Sequence, residues 1–269
     1  MSFTTSIGER PSSIGEIVRF RVYIFRVAGI MGNCVMITDS GDSKEKLVLL
    51  DCTGEGNSAE PWFRAALAKC GQTSLRTTIP ESGVGALEGA TCLLISGSPR
   101  DAFADDETTL ATLAVVESAL TREIPVLGIC YGHQLLGRIA GARVGRNPGG
   151  WEVGECIVEA TDEKSLLGLK GKSRVLQSHL DIVFEVPAGC RLLAQNEHSP
   201  VQAAEWGPGV FGVQFHPEFT GEILREVWTI RRDVWRGKTS FDLDAKLNTA
   251  GDCDDGLAVL RSFLHTVCP

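Results

Sequence analysis

Short, unbroken apolar runs alternate with helical patterns through the middle of the chain. Leu47–Asp51, Cys92–Ser96 and Pro125–Ile129 lack the polar alternation of a half-exposed strand. Between and after them lie a helix over Ala59–Cys70 with Pro61 near its start, an amphipathic helix over Thr108–Thr121, and a helix over His133–Ala140 ended by Gly141. Strands that are apolar throughout, alternating with helices, predict a parallel sheet covered on both faces. From Trp151 to Val213 the pattern changes to short strands and turns: Val153–Glu159, Ser173–Leu176, Arg191–Ala194, Val201–Glu205 and Val210–Gln214. The expected fold is α/β, a mostly parallel central sheet flanked by helices, with a small antiparallel excursion that returns to the sheet near Phe211.

Three regions follow from this pattern. Residues 1–45 form an N-terminal extension in which Val18, Phe20, Val22 and Ile24 share one face of a strand, and Cys34–Thr38 could pair with it as a hairpin. Residues 46–236 form the main domain, closing with a helix over Glu222–Arg232. Residues 237–269 add a loop or insertion, Gly237–Asp255, and a helix over Gly256–His265 that packs on the domain.

Composition narrows the function. The 269 residues are 43% hydrophobic, enough for one large domain with extensions, and the net charge of −8 gives no basic face for nucleic acid. Nine cysteines are scattered singly with no Cys-x-x-Cys, which reads as a reduced, cytoplasmic protein with mostly buried thiols. The polar first residues lack a signal-peptide core, and no apolar stretch approaches the roughly 20 residues that span a bilayer, so no membrane association is expected. No metal-ligand spacing, phosphate loop or dinucleotide fingerprint is present, so no cofactor and no metal are expected.

Two segments carry the chemistry. Gly128-Ile129-Cys130-Tyr131-Gly132 sits where a buried strand gives way to a helix. A nucleophile at such a turn is exposed above the sheet edge, flanking glycines relieve crowding, and the helix N-terminus favours a thiolate. The backbone N–H of Tyr131 would point toward an oxyanion. The second segment, Phe211–Glu218, delivers His216 and Glu218 to the same edge, as general base and as the group that orients it. A third, Ser96-Gly97-Ser98-Pro99, is a small-residue turn in which the Ser98 N–H would be a second oxyanion donor. Ser178, His179 and Asp181 form a polar cluster that could line the cleft. His133 falls on the first turn of the elbow helix, and His198 and His265 have no constellation around them.

These segments resemble class I glutamine amidotransferases of the Cys-His-Glu type, through GICYGHQ at Gly128–Gln134, FGVQFHPE at Phe211–Glu218, SHLD at Ser178–Asp181 and SGSP at Ser96–Pro99. The resemblance implies the flavodoxin-like fold of that family. It also implies that Cys130 attacks a glutamine side-chain amide to form a γ-glutamyl thioester, that His216 shuttles protons and that Glu218 holds His216. Ser98 and Tyr131 would supply the oxyanion hole, while Gln134, Ser178, His179 and Asp181 would help hold the substrate. Ser98 stands where many members have a second glycine. Gly97–Phe103 and Gly145–Gly154 are similar to stand-alone members, including plant γ-glutamyl peptidases and relatives often labelled GMP-synthase-like.

Three functions remain open at this point. The first is a glutaminase or amidotransferase domain without its own synthetase domain, passing ammonia to a separate synthetase subunit. The second is a γ-glutamyl peptidase acting on glutathione-like compounds or conjugates. The third is a non-catalytic regulatory subunit.

Overall fold

The computed structural model describes residues 46–54, 56–161, 167–230, 239 and 241–268, all within one compact unit, Ser43–Pro269. The N-terminal hairpin expected before residue 46 lies outside the described residues. The central feature is a nine-stranded sheet in the spatial order 76–78, 47–50, 92–95, 126–129, 210–213, 203–207, 191–195, 152–160 and 172–179. Its first half is β1 (Leu47–Leu50), β2 (Arg76–Thr78), β3 (Cys92–Ile95), β4 (Val126–Ile129) and β11 (Val210–Val213), in which every neighbouring pair is parallel. The other half is β6 (Glu152–Ala160), β7 (Lys172–His179), β9 (Arg191–Gln195) and β10 (Ala203–Gly207), joined by antiparallel pairings. The expected antiparallel excursion thus extends the same sheet. A separate two-stranded ribbon pairs β5 (Val144–Arg146) with β8 (Asp181–Val183).

The apolar runs are explained by burial on both faces. Leu47, Leu49, Cys92, Leu94, Leu127 and Ile129 point into one core. There they meet Phe63 and Leu67 of α1 (Glu60–Lys69) and Leu260 and Phe263 of α6 (Asp254–Thr266). Val48, Leu50, Leu93, Ile95 and Val126 point the other way. They meet Val115, Val116 and Ala119 of α2 (Glu107–Thr121) and Leu135 and Leu136 of α3 (Tyr131–Ile139). Each Val, Leu, Ile or Phe among them contributes roughly 1.5–3 kcal/mol by leaving water. A third cluster joins Val153 and Leu176 to Leu224 and Trp228 of α4 (Gly221–Ile230).

Two expectations are corrected. The stretch Gly237–Asp255 is not a loop throughout: it holds α5 (Leu243–Thr249), whose start is capped by Asp242 accepting from the Ala245 N–H at 3.0 Å. Leu247 anchors this helix in the third cluster. The reduced-thiol reading also has an exception. α6 ends beside the start of β3, and there Cys92 and Cys268 form a disulfide across 176 residues of chain. Six other cysteines among the described residues are free. Among the described residues no helix is long and apolar enough to cross a membrane.

Candidate active site

β3, β4 and β11 are adjacent and parallel, so the loops after them open at one carboxyl edge, where open α/β sheets place their ligands. The register pairs Val213 with Ile129. Cys130 follows at once, its N–H donating to the Val213 carbonyl at 2.8 Å. Cys130 has φ 51° and ψ −98°. Among the described non-glycine residues only Glu123 shares a positive φ. Such a conformation costs on the order of 1–3 kcal/mol and persists only where packing enforces it. Here the enforcement is visible. A Cβ at residue 128 would lie 2.5 Å from the Gly132 backbone, and one at residue 132 would lie 2.8 Å from Ile95. Two glycines therefore let α3 descend onto β3 and β4 and lift Cys130 over the edge.

His216 lies past the end of β11, its N–H donating to the Leu176 carbonyl at 2.9 Å. Its Nδ1 donates to Glu218 Oε1 at 2.7 Å, and its ring stacks on Phe219 with centroids 4.0 Å apart. Both His216 and Glu218 are buried. Burial alone would lower the His216 pKa, but the Glu218 carboxylate and a hydrogen bond to Cys130 outweigh it and push the value up to about 10. Gly97, after β3, closes the arrangement. A Cβ there would lie 2.8 Å from His216 Cε1 and 3.7 Å from Cys130 Cβ, so the imidazole occupies the space that glycine leaves.

The turn after β3 is held by Ser96, which the sequence places in the turn without a role of its own. Ser96 is fully buried. Its hydroxyl accepts from the Cys52 N–H at 2.8 Å and donates to the Gly97 carbonyl at 2.8 Å. Because the peptide is planar and trans, pinning the Gly97 oxygen aims the Ser98 N–H the opposite way. The Ser98 hydroxyl accepts from the Arg100 N–H at 3.2 Å, a turn bond that a second glycine would lack. The Tyr131 ring lies in the core with its hydroxyl bonded to Thr109, so what this residue presents at the turn is its backbone.

A cleft of about 330 Å³ opens beside Cys130, lined also by Ser98, Gln134, Ser178, His179, Asp181, Arg146, Trp151 and Trp228. The four expected substrate-binding residues are thus together, but their side chains are largely bonded to the protein. Gln134 Nε2 donates to the Asp181 carbonyl at 2.8 Å. Ser178 Oγ accepts from Trp228 Nε1 at 2.9 Å. His179 bridges the Asp181 carbonyl and Glu152. The Asp181 carboxylate pairs with Arg146 at 2.9 Å, and Arg146 also holds Asp101 at 2.8 Å. Burial pushes the Asp181 pKa up, against the pull of Arg146. Sequence reasoning missed Arg146, Glu152, Trp151 and Trp228. Only the Gly145–Gly154 resemblance pointed near the first three.

His133 and His198 serve the structure instead. His133 is buried against Trp206 with ring centroids 5.3 Å apart, and burial lowers its pKa to about 3. His198 Nε2 donates to the Gly150 carbonyl at 3.1 Å, a bond to a turn that the sequence did not reveal. Among the described residues no group of three His, Cys, Asp or Glu could hold a metal.

A cysteine on a strained elbow and an imidazole held by a carboxylate thus stand together beside a cleft at the carboxyl edge of a parallel sheet. The chain belongs to the class-I glutamine amidotransferase family, which it matches over residues 56–228. It is 36% identical over 140 residues to γ-glutamyl peptidase 5 of Arabidopsis thaliana, covering 50% of this chain and 56% of that protein. It is 39% identical over 128 residues to one component of the glutamine-hydrolysing GMP synthase of Thermococcus kodakarensis, covering 47% of this chain and 65% of that protein. The matches therefore span between half and two-thirds of the length of these relatives. A crystal structure of a glutamine amidotransferase from Thermotoga maritima superposes with a TM-score of 0.69 at 23% identity, covering 83% of this chain and 98% of that one, a likeness of fold.

Proposed function

We propose that the chain hydrolyses a γ-glutamyl amide bond through a thioester on Cys130. The observation that carries this reading is the elbow conformation of Cys130, φ 51°, beside an imidazole bonded to Glu218 at 2.7 Å on the neighbouring strand's loop. With a pKa near 10, His216 is protonated at neutral pH and starts as the proton donor. The Cys130 sulfur attacks the γ-carbonyl carbon, and the N–H groups of Ser98 and Tyr131 receive the oxyanion. The C–N bond then breaks as His216 Nε2 gives its proton to the departing nitrogen. In the second half, His216 takes a proton from water, the hydroxide attacks the thioester, and the C–S bond breaks to release glutamate. Glu218 keeps Nδ1 protonated throughout. No cofactor or metal enters these steps.

With glutamine the leaving group is ammonia, and a separate synthetase subunit would consume it. A second reading, cleavage of γ-glutamyl peptides or glutathione-like conjugates, is favoured by the cleft itself. Its volume falls within the usual range for small-molecule sites, and it runs beyond Cys130 to Trp151 and Trp228. A cytoplasmic location belongs to the same proposal, supported by six free cysteines against one disulfide among the described residues. The test is glutamate release from glutamine and from a γ-glutamyl dipeptide, compared as kcat/KM, with Cys130→Ala as control. Turnover that survives Cys130→Ala would sink the proposal; the preferred substrate separates the two leaving groups.

A further inference from the structure

Beneath the cleft lies a buried polar network that the mechanism above does not use. His179 is 3% exposed and Glu152 6%. His179 Nδ1 lies 3.1 Å from the Asp181 carbonyl oxygen, and Nε2 lies 2.9 Å from Glu152 Oε2. A carbonyl oxygen can only accept, and an ionised carboxylate can only accept. Nδ1 therefore donates to the Asp181 carbonyl, and with Glu152 ionised Nε2 donates to its carboxylate, the arrangement of an imidazolium–carboxylate pair. The Glu152 carboxylate is built to face the ring. Oε2 also accepts from Gln202 Nε2 at 2.8 Å, and Oε1 accepts from Asn196 Nδ2 at 2.6 Å. Burial pushes the Glu152 carboxyl up, but its bonds to His179 and Asn196 outweigh that and hold its pKa below the ordinary carboxylate value.

His179 lines the cleft and shares one acceptor with another residue of its wall. The Asp181 carbonyl accepts from His179 and also from Gln134 Nε2 at 2.8 Å, and Gln134 lies on α3, the helix that begins at the Cys130 elbow. The side chain of the same Asp181 lines the cleft and pairs with Arg146. β6, which carries Glu152, is paired with β7 by a register that sets Glu152 opposite His179.

We propose that Glu152 is a positioning residue: by holding His179 as an imidazolium it fixes the Asp181 carbonyl, and through it the cleft wall of Gln134 and Asp181 that receives the γ-glutamyl group. This rests on the function proposed above. Glu152 touches neither Cys130 nor His216 in this scheme. Its loss therefore acts on binding and leaves the bond-breaking step nearly intact.

The test is Glu152→Gln, which keeps the shape and removes the charge. The KM for the γ-glutamyl substrate rises roughly 10- to 100-fold, the scale of one lost bond between charged groups. The kcat and the rate of Cys130 alkylation by iodoacetamide stay near the wild-type values. Asn196→Ala, which removes one donor to Glu152, is a milder second variant and raises KM in the same direction if Glu152→Gln does not fold. Nitrogen-15 spectra of the His179 ring show two protonated nitrogens in the wild type and one in Glu152→Gln. An unchanged KM, a collapse of kcat at constant KM, or a wild-type ring with one bare nitrogen overturns the proposal. If the wild type turns over no γ-glutamyl compound, the functional reading fails by itself, and the ring spectra alone decide whether Glu152 holds an imidazolium.

Discussion

Gly97→Ala is the sharpest probe of the catalytic geometry. The added Cβ would stand 2.8 Å from His216 Cε1, whereas ordinary contact begins at 3.4 Å, so the ring must yield by about 0.6 Å (3.4 − 2.8). It has little freedom, because Nδ1 is bonded to Glu218 at 2.7 Å and one face is stacked on Phe219. Gly97 is not among the positive-φ glycines, so alanine brings no backbone strain and the effect is one of space alone. Overpacking of this kind costs roughly 1–3 kcal/mol of stability, and the Tm should fall by a few degrees. The chemical effect is of similar size in free energy: a 1 Å misplacement of a reacting group costs about 100-fold, so a shift of this size lowers kcat roughly 10- to 100-fold. The assay is steady-state glutamate release by the variant, with far-UV circular dichroism to establish that it is folded. A folded Gly97→Ala protein with wild-type kcat would refute the placement of His216 against this turn.

Other substitutions test other parts of the site. Gly128→Ala would set a Cβ 2.5 Å from the Gly132 backbone, which cannot rotate away, so the elbow should lose at least about 2 kcal/mol in denaturant unfolding; an unchanged midpoint would contradict the close packing of α3 on β4. Glu218→Gln removes the charge that holds the imidazolium and should lower kcat roughly 10²- to 10⁴-fold with little change in fold; a loss of under threefold would remove Glu218 from the catalytic set. In Cys130→Ala the His216 ring loses one of the two partners that raise its pKa, so its titration followed by NMR should move down from about 10; an unmoved value would mean the two side chains do not interact. The same shift has a consequence for stability. The folded pKa lies above the ordinary 6.5, so the contribution of His216 is fully present below that value and is lost as pH rises through about 10. Urea midpoints measured across that window should fall with pH, and less so in Cys130→Ala; parallel profiles would contradict the coupling.

The parts of the fold legible in the chain are those where local pattern and tertiary burial agree. β1, β3, β4 and β11 read as strands because both faces are covered, so every position is apolar. The elbow and the His216–Glu218 segment are legible because each joins a distinctive set of residue types to the end of a buried strand. β2, β5 and β8 have three residues each, too few to show a period, and went unseen. α5 buries one side chain, Leu247, and so has no amphipathic stripe to detect. The Cys92–Cys268 pair depends on where α6 comes to rest, which no spacing encodes. The cleft was the hardest part to read. Ser178, His179 and Asp181 stood out as polar and close in sequence, but their bonds run to Trp228, Glu152 and Arg146, which only the folded sheet brings within reach.

The central claim is that Cys130 carries the glutamyl group as a thioester. The most direct measurement is intact-protein mass spectrometry after rapid acid quench of the chain mixed with excess glutamine or a γ-glutamyl dipeptide, followed by peptide mapping. The account expects an adduct with the mass of one glutamyl residue on the peptide that bears Cys130. The adduct should be sensitive to hydroxylamine and absent from Cys130→Ala. Glutamate release with no adduct under any quench, or an adduct that persists in Cys130→Ala, would contradict it.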